Sequence, residues 1–224
     1  MPERLIEAGL TLFQEAENSQ TITKLAQATQ VRNGLMVAML GFHPVRRKNF
    51  AALEIGRSLV KIRGRWWIIL SAAETKENRA DERRVDKMLV PFVDRYLDLY
   101  RPVLVRSGSP PSALWLSSRH GGRMTEKHVA NLIGETTLST VGVRVTPHLF
   151  RTSAASGAAV YGGDSPHLGA AVLHHADPRI TIEHYNRATS LSAAESFRQV
   201  VRQYEKQRGG AVETQRARLP RAAR

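Results

Sequence analysis

The chain gives up helical spacing for runs rich in β-formers in the stretch "SLVKIRGRWWIILSAAETKENRADERRVDKMLVP" from Ser58 to Pro91, and that change limits the folds open to it. Upstream, Leu5, Ile6, Leu10, Leu12 and Phe13 recur at roughly helical spacing between Glu3 and Ala16, and "TITKLAQATQVRNGLMVAMLGF" repeats the pattern in a region apolar enough for a core helix. "HPVRRKNFAALEIG" opens on a turn signal at Pro44 and resumes helical spacing through Phe50 and Leu53 until Gly56. Within the stretch itself, two runs rich in β-formers flank Arg63-Gly64, and a third, more polar run follows a charged turn from Lys76 to Asp81. Downstream, "FVDRYLDLYRPVL" reads as a helix, "SGSPPSALW" as a loop, and "TEKHVANLIGETT" as a helix capped by Thr125. The expectation is an α+β fold, mostly α-helical, with a small three-stranded antiparallel sheet.

Towards the C terminus a small-residue helix, the loop "YGGDSPH", the short helix "LGAAVLHH" and the segment "DPRITIEHYNRA" lead into an amphipathic helix, "SLSAAESFRQVVRQYEKQ". Residues 208–224 are polar, basic and poor in large apolar groups, which predicts a disordered tail after a single domain over residues 1–207.

The 224 residues carry a formal net charge of +13 while 42% are hydrophobic, so the chain can bury a core and still attract polyanions, nucleic acid first among them. The basic residues are spread through folded segments and do not line one amphipathic helix, which disfavours a membrane surface as partner. There is no cysteine, hence no disulfide, thiolate metal site or cysteine nucleophile. The start "MPERLIEAGLTLFQEA" mixes acids with its apolar residues, unlike a signal peptide, and nothing approaches the ~20 apolar residues of a membrane span. These features lead us to expect a soluble, cytoplasmic, nucleoid-associated protein.

"TPHLFRTSAA" places His148 and Arg151 three positions apart behind Thr146, a capping residue, and Pro147, suited to a first helical position. Both side chains would then project near the positive end of a helix, where a phosphate is favoured. Alone, such a pair is commonplace on a protein surface. It stands, however, in an ordered set: Arg46 in "PVRRKNFAAL", Lys76 in "ETKENR", His148 and Arg151 in "HLFR", His175 in "LHHADPRIT", and Tyr185 in "EHYNRA". That set in that order resembles the catalytic domain of tyrosine recombinases, the phage integrase family, over roughly residues 1 to 205.

The resemblance implies a tyrosine recombinase catalytic-domain fold and DNA strand cleavage and rejoining on double-stranded DNA, without a metal, a cofactor or ATP. Tyr185 would attack the scissile phosphorus and form a 3′-phosphotyrosyl link; Arg46 and Arg151 would grip the non-bridging oxygens. Lys76 would protonate the leaving 5′ oxygen, His148 would assist proton transfer at the tyrosine, and His175 would hydrogen-bond the phosphate. The residue types suit these tasks, since a guanidinium fork donates to phosphate oxygens in fixed geometry and imidazole titrates near neutrality. Arg47 is the neighbour that a shift of one residue would exchange for Arg46. Tyr161 and Tyr204 are the alternative tyrosines.

Three departures accompany the match: Asn49 stands where relatives often carry an acid, His174 replaces the usual glycine of "LGH", and the step from His175 to Tyr185 is one residue longer than in many members. Whether His174 or His175 faces the phosphate stays open. The catalytic-domain pattern begins within the first residues, whereas family members usually carry a separate helical domain before it. The expectation is therefore a truncated product, an excised domain, or a chain that relies on a separate DNA-binding partner. Homo-oligomerisation on DNA through the C-terminal helix is a further implication. Type IB topoisomerase-like relaxation, and a non-catalytic DNA-binding remnant that modulates an intact recombinase, are the alternative functions.

Overall fold

A computed structural model describes residues 2–161 of the chain. Helix α1 (Pro2–Asn18) packs along α2 (Lys24–Phe42), whose Thr23 caps the start by accepting the Ala26 N–H at 3.2 Å. The two backbones approach closely at Gly9 and Gly34: a methyl on Gly9 would lie 2.6 Å from the Gly34 oxygen, and one on Gly34 would lie 2.5 Å from the Gly9 oxygen. With no side chain to hold them apart, the helices bring α2 into the middle of the core, where Val31 and Leu35 to Leu40 are all buried.

At the end of α2 the chain turns tightly about Pro44, with the Val45 N–H on the His43 carbonyl at 2.6 Å, and enters the short α3 (Arg47–Ala51) with Arg46 at its N-cap. The spacing predicted helix through Leu53. Instead the backbone leaves the helix at Ala52, because residues 53–55 pair with a distant loop: the Leu114 N–H donates to the Leu53 carbonyl at 3.0 Å, and the Ile55 N–H to the Ser112 carbonyl at 2.7 Å. Leu53 is fully buried all the same.

The sheet follows the predicted order. Strands β1 (Leu59–Ile62), β2 (Arg65–Leu70) and β3 (Asp81–Arg84) pair antiparallel in the order β1-β2-β3. Arg63 and Gly64 both take positive φ, 50° and 76°, the left-handed pair that a two-residue hairpin needs to match strand twist. Leu59, Ile68 and Leu70 face the core from one side of the sheet.

Helix α4 (Val90–Arg95) continues through a widened π-turn (Tyr96–Tyr100) into α5 (Arg101–Leu104). The widening has a covalent cause. Pro102 has no N–H to offer the preceding turn, and the Arg101 N–H reaches back five residues to the Tyr96 carbonyl. Buried Tyr96 donates its hydroxyl to the Leu114 carbonyl at 2.9 Å, and buried Trp115 donates its indole N–H to the Phe50 carbonyl at 2.9 Å. Those bonds clamp α3 onto the core. Helix α6 (Glu126–Val141), capped by Thr125 and closed by left-handed Gly142, and α7 (Pro147–Tyr161) complete the described fold.

Candidate functional site

The site grows from the Pro44 turn. His43 is buried, and its Nε2 accepts the Asp86 N–H at 3.2 Å, which ties the end of α2 to the exit of β3. Burial, helped by the charge of Arg83, pushes its imidazole down to about 4, so it is neutral at physiological pH and serves as an acceptor. The next residue, Pro44, presents its carbonyl oxygen to Arg151 of α7, whose Nη1 donates at 2.5 Å. Arg46, two residues further, is half-buried and pairs with Glu77 of the β2–β3 turn at 2.7 Å, while exposed Arg47 turns to Glu126 at the start of α6 at 2.5 Å.

Between α3, α6 and α7 these groups border an open cleft of about 670 Å³. Arg46, Arg47, Lys48, Arg144 and Arg151 all line it, and among the lining residues Glu126 is the one acid. Arg151 is lowered to about 10, first by burial and then by repulsion from Arg46 and Arg83, with Asp81 and Glu77 opposing. It keeps its proton at neutral pH, so a desolvated cation sits beside a second cation.

Helix α7 supplies the remaining side chain. Pro147 occupies its first position and the Thr146 carbonyl accepts the Phe150 N–H at 3.2 Å, so exposed His148 and half-buried Arg151 fall one turn apart on the same cleft. The fold thus gathers Arg46, His148 and Arg151, which are separated widely in sequence. Lys76 is not among the lining residues; it is exposed on the β2–β3 turn, adjacent in chain to the Glu77 that holds Arg46. His175 and Tyr185 lie outside the described residues, as do His174, Tyr204, the amphipathic segment 190–207 and the tail 208–224. Tyr161 is the last residue of α7.

Lys48, Arg144 and Asn131 at the cleft were not singled out from the sequence. Nothing local marks them: a solvated arginine in "VGVRV" looks like any other until α6 and α7 set it opposite α3. Asn49, where relatives often carry an acid, is buried. Among the described residues no group of three or more His, Cys, Asp or Glu side chains is arranged to hold a metal ion, and no helix is long and apolar enough to cross a membrane.

A mostly helical unit with a small three-stranded antiparallel sheet is the architecture of tyrosine recombinase catalytic domains. The chain belongs to the phage integrase family, which it matches over residues 12–191. Its fold is similar to that of XerA recombinase, with a TM-score of 0.57 at 18% identity over 87% of this chain and 61% of that one. It is also similar to XerH site-specific recombinase bound to palindromic difH substrate in a post-cleavage complex, with a TM-score of 0.61 at 16% identity over 85% of this chain and 51% of that one. For the pre-cleavage complex of XerH with difH the TM-score is 0.59 at 16% identity, over 86% and 50%. The chain therefore spans between 50% and 61% of the length of these recombinases. No curated protein matches it.

Proposed function

We propose that the chain is the catalytic portion of a site-specific DNA recombinase, which breaks and rejoins double-stranded DNA through a covalent 3′-phosphotyrosine on Tyr185. The observation that carries this reading is the pairing of Arg46 and Arg151 across one cleft, with Arg151 desolvated yet charged. Preorganised donors of this kind stabilise the charge that builds on the non-bridging oxygens as phosphorus becomes five-coordinate. In this reading the Tyr185 oxygen attacks phosphorus and loses its proton with help from His148, while the bond to the 5′ oxygen breaks and that oxygen takes a proton from Lys76. His175 donates a hydrogen bond to the phosphate. Religation reverses the step, so the energy of the broken bond is kept in the phosphotyrosine.

XerH site-specific recombinase is similar in fold and is seen bound to difH substrate in pre-cleavage and post-cleavage complexes. This chain's own target is proposed to be double-stranded DNA, bound by the cationic face that the cleft opens onto. Oligomerisation on DNA through residues 190–207, a basic tail over residues 208–224 and a separate DNA-binding partner belong to the same proposal.

A duplex nicked next to the cleavage position tests it, because the short fragment released by cleavage diffuses away and the protein stays attached. The expected result is a covalent protein–DNA adduct that forms equally well in EDTA and is absent in Tyr185→Phe, which still binds DNA. No adduct with the unsubstituted chain, or an adduct that survives in Tyr185→Phe, overturns the assignment.

A further inference from the structure

We propose that Glu77 is an internal stand-in for the DNA phosphate: in the DNA-free chain its carboxylate occupies the guanidinium of Arg46, and an arriving phosphate displaces it. The inference rests on the reading of Arg46 as a phosphate-binding residue. Four observations carry it. The Glu77 Oε1 lies 2.7 Å from the Arg46 Nη2, the distance of a charge-assisted bond such as a phosphate oxygen would make. The two side chains are 26% and 30% exposed, so the pair is open to solvent and to an incoming anion. Glu77 also acts on Arg151, where its charge opposes the effect of burial, so one carboxylate serves both arginines of the cleft. Finally, Glu77 follows Lys76 directly on the turn between β2 and β3.

That turn is a small closed unit. The Thr75 hydroxyl donates to the Arg79 carbonyl at 2.7 Å and accepts the Arg79 N–H at 3.1 Å, and Asn78 sits at φ 50°. The ion pair of Glu77 links this unit to the Arg46 side of the cleft. A carboxylate and a phosphodiester repel each other at one guanidinium, so phosphate entry displaces Glu77 from Arg46 and loosens this link to the turn that bears Lys76. Glu77 is then a positioning residue with two effects. It lowers the affinity of the cleft for any phosphate, and it links the freedom of the Lys76 turn to occupancy of the site.

The test is a double-mutant cycle in duplex-DNA binding, read by fluorescence anisotropy at low salt on the full chain. Glu77→Gln keeps the side chain's shape and removes its charge, and should tighten binding about fivefold, the scale of a partly exposed ion pair. Glu77→Ala should shift binding in the same direction. In an Arg46→Ala background the gain from Glu77→Gln should shrink to within about 1.5-fold, because the competitor has nothing left to compete for. Binding that weakens or stays unchanged in both Glu77 variants shows that the acid merely braces the turn and overturns the inference, while leaving the covalent-adduct reading standing. A gain that persists undiminished without Arg46 shows a general charge effect and overturns it too. A chain that does not bind duplex at all overturns this inference and the reading beneath it together.

Discussion

Arg151 and Pro44 stand 107 positions apart in the chain, and the arginine Nη1 meets the proline carbonyl oxygen at 2.5 Å. The proline is buried, at the turn between α2 and α3, so this bond satisfies a backbone acceptor that water does not reach and at the same time aims the first turn of α7 at the cleft. The fold and the site share the same guanidinium.

Arg151 should therefore cost more than chemistry when it is lost. Arg151→Ala is expected to slow cleavage by ~10²-fold or more, as for removal of one preorganised donor, and to destabilise the fold by about 1–3 kcal/mol through the orphaned carbonyl. Arg46→Ala should slow cleavage comparably but cost at most about 1 kcal/mol, since its pair with Glu77 is partly exposed. Single-turnover cleavage and urea melts on the two variants make the comparison; equal stability losses would mean that the Pro44 bond does not brace the fold.

Stability should fall on acidification through His43. Its folded value, about 4, lies below the ordinary 6.5, so the unfolded state binds the extra proton first. The sign follows: the imidazole's contribution is whole above pH 6.5 and is lost as pH drops towards 4, to a maximum of about 3 kcal/mol. His43→Gln, which retains an acceptor for the Asp86 N–H but has no proton to gain, should flatten the pH dependence of the melting temperature across that window relative to the unsubstituted chain.

At the crossing of α1 and α2, Gly9→Ala and Gly34→Ala should each destabilise by at least about 1–3 kcal/mol, the range for forcing extra volume into a packed core. The added methyl would meet backbone atoms at 2.6 Å in the first case and 2.5 Å in the second, and backbone cannot rotate aside. Chemical denaturation measures both, and a loss below about 0.5 kcal/mol in either would mean that the helices can separate freely.

Lys48 and Arg144 line the cleft but have no part in the proposed chemistry. If they hold phosphates flanking the scissile one, alanine at either position should reduce the slope of log K against log salt by about 0.9. Saturating single-turnover cleavage should change little by comparison. Binding isotherms across a salt series supply the slopes.

Much of the architecture was legible because it is written in local terms. Two runs rich in β-formers on either side of Arg63-Gly64 specify a hairpin, and the apolar run of α2 had to be buried somewhere. Thr125 and Thr23 cap their helices through bonds that span three residues, so no distant contact is needed to foresee them. The order of Arg46, Lys76, His148 and Arg151 was readable in the same way, as residue types in sequence.

What the linear pattern could not contain is the set of distances that turns those residues into a site. The end of α3 is set by strand-like pairing of residues 53–55 with residues 112–114, and the π-turn at Tyr96–Tyr100 accommodates Pro102 while Tyr96 stays fully buried. Arg144 became a cleft residue only when α6 and α7 packed against α3, and Glu77 became a partner of Arg46 only when the β2–β3 turn folded back beside the N-cap of α3. By itself, then, the sequence determined which elements form and which chemistries are on hand, because backbone period, turn and cap preferences act over a few residues. The tertiary structure alone decided which charges meet, because burial and Coulomb energy depend on proximity in space, and in this chain the decisive proximities span 31 residues between Arg46 and Glu77 and 107 between Pro44 and Arg151.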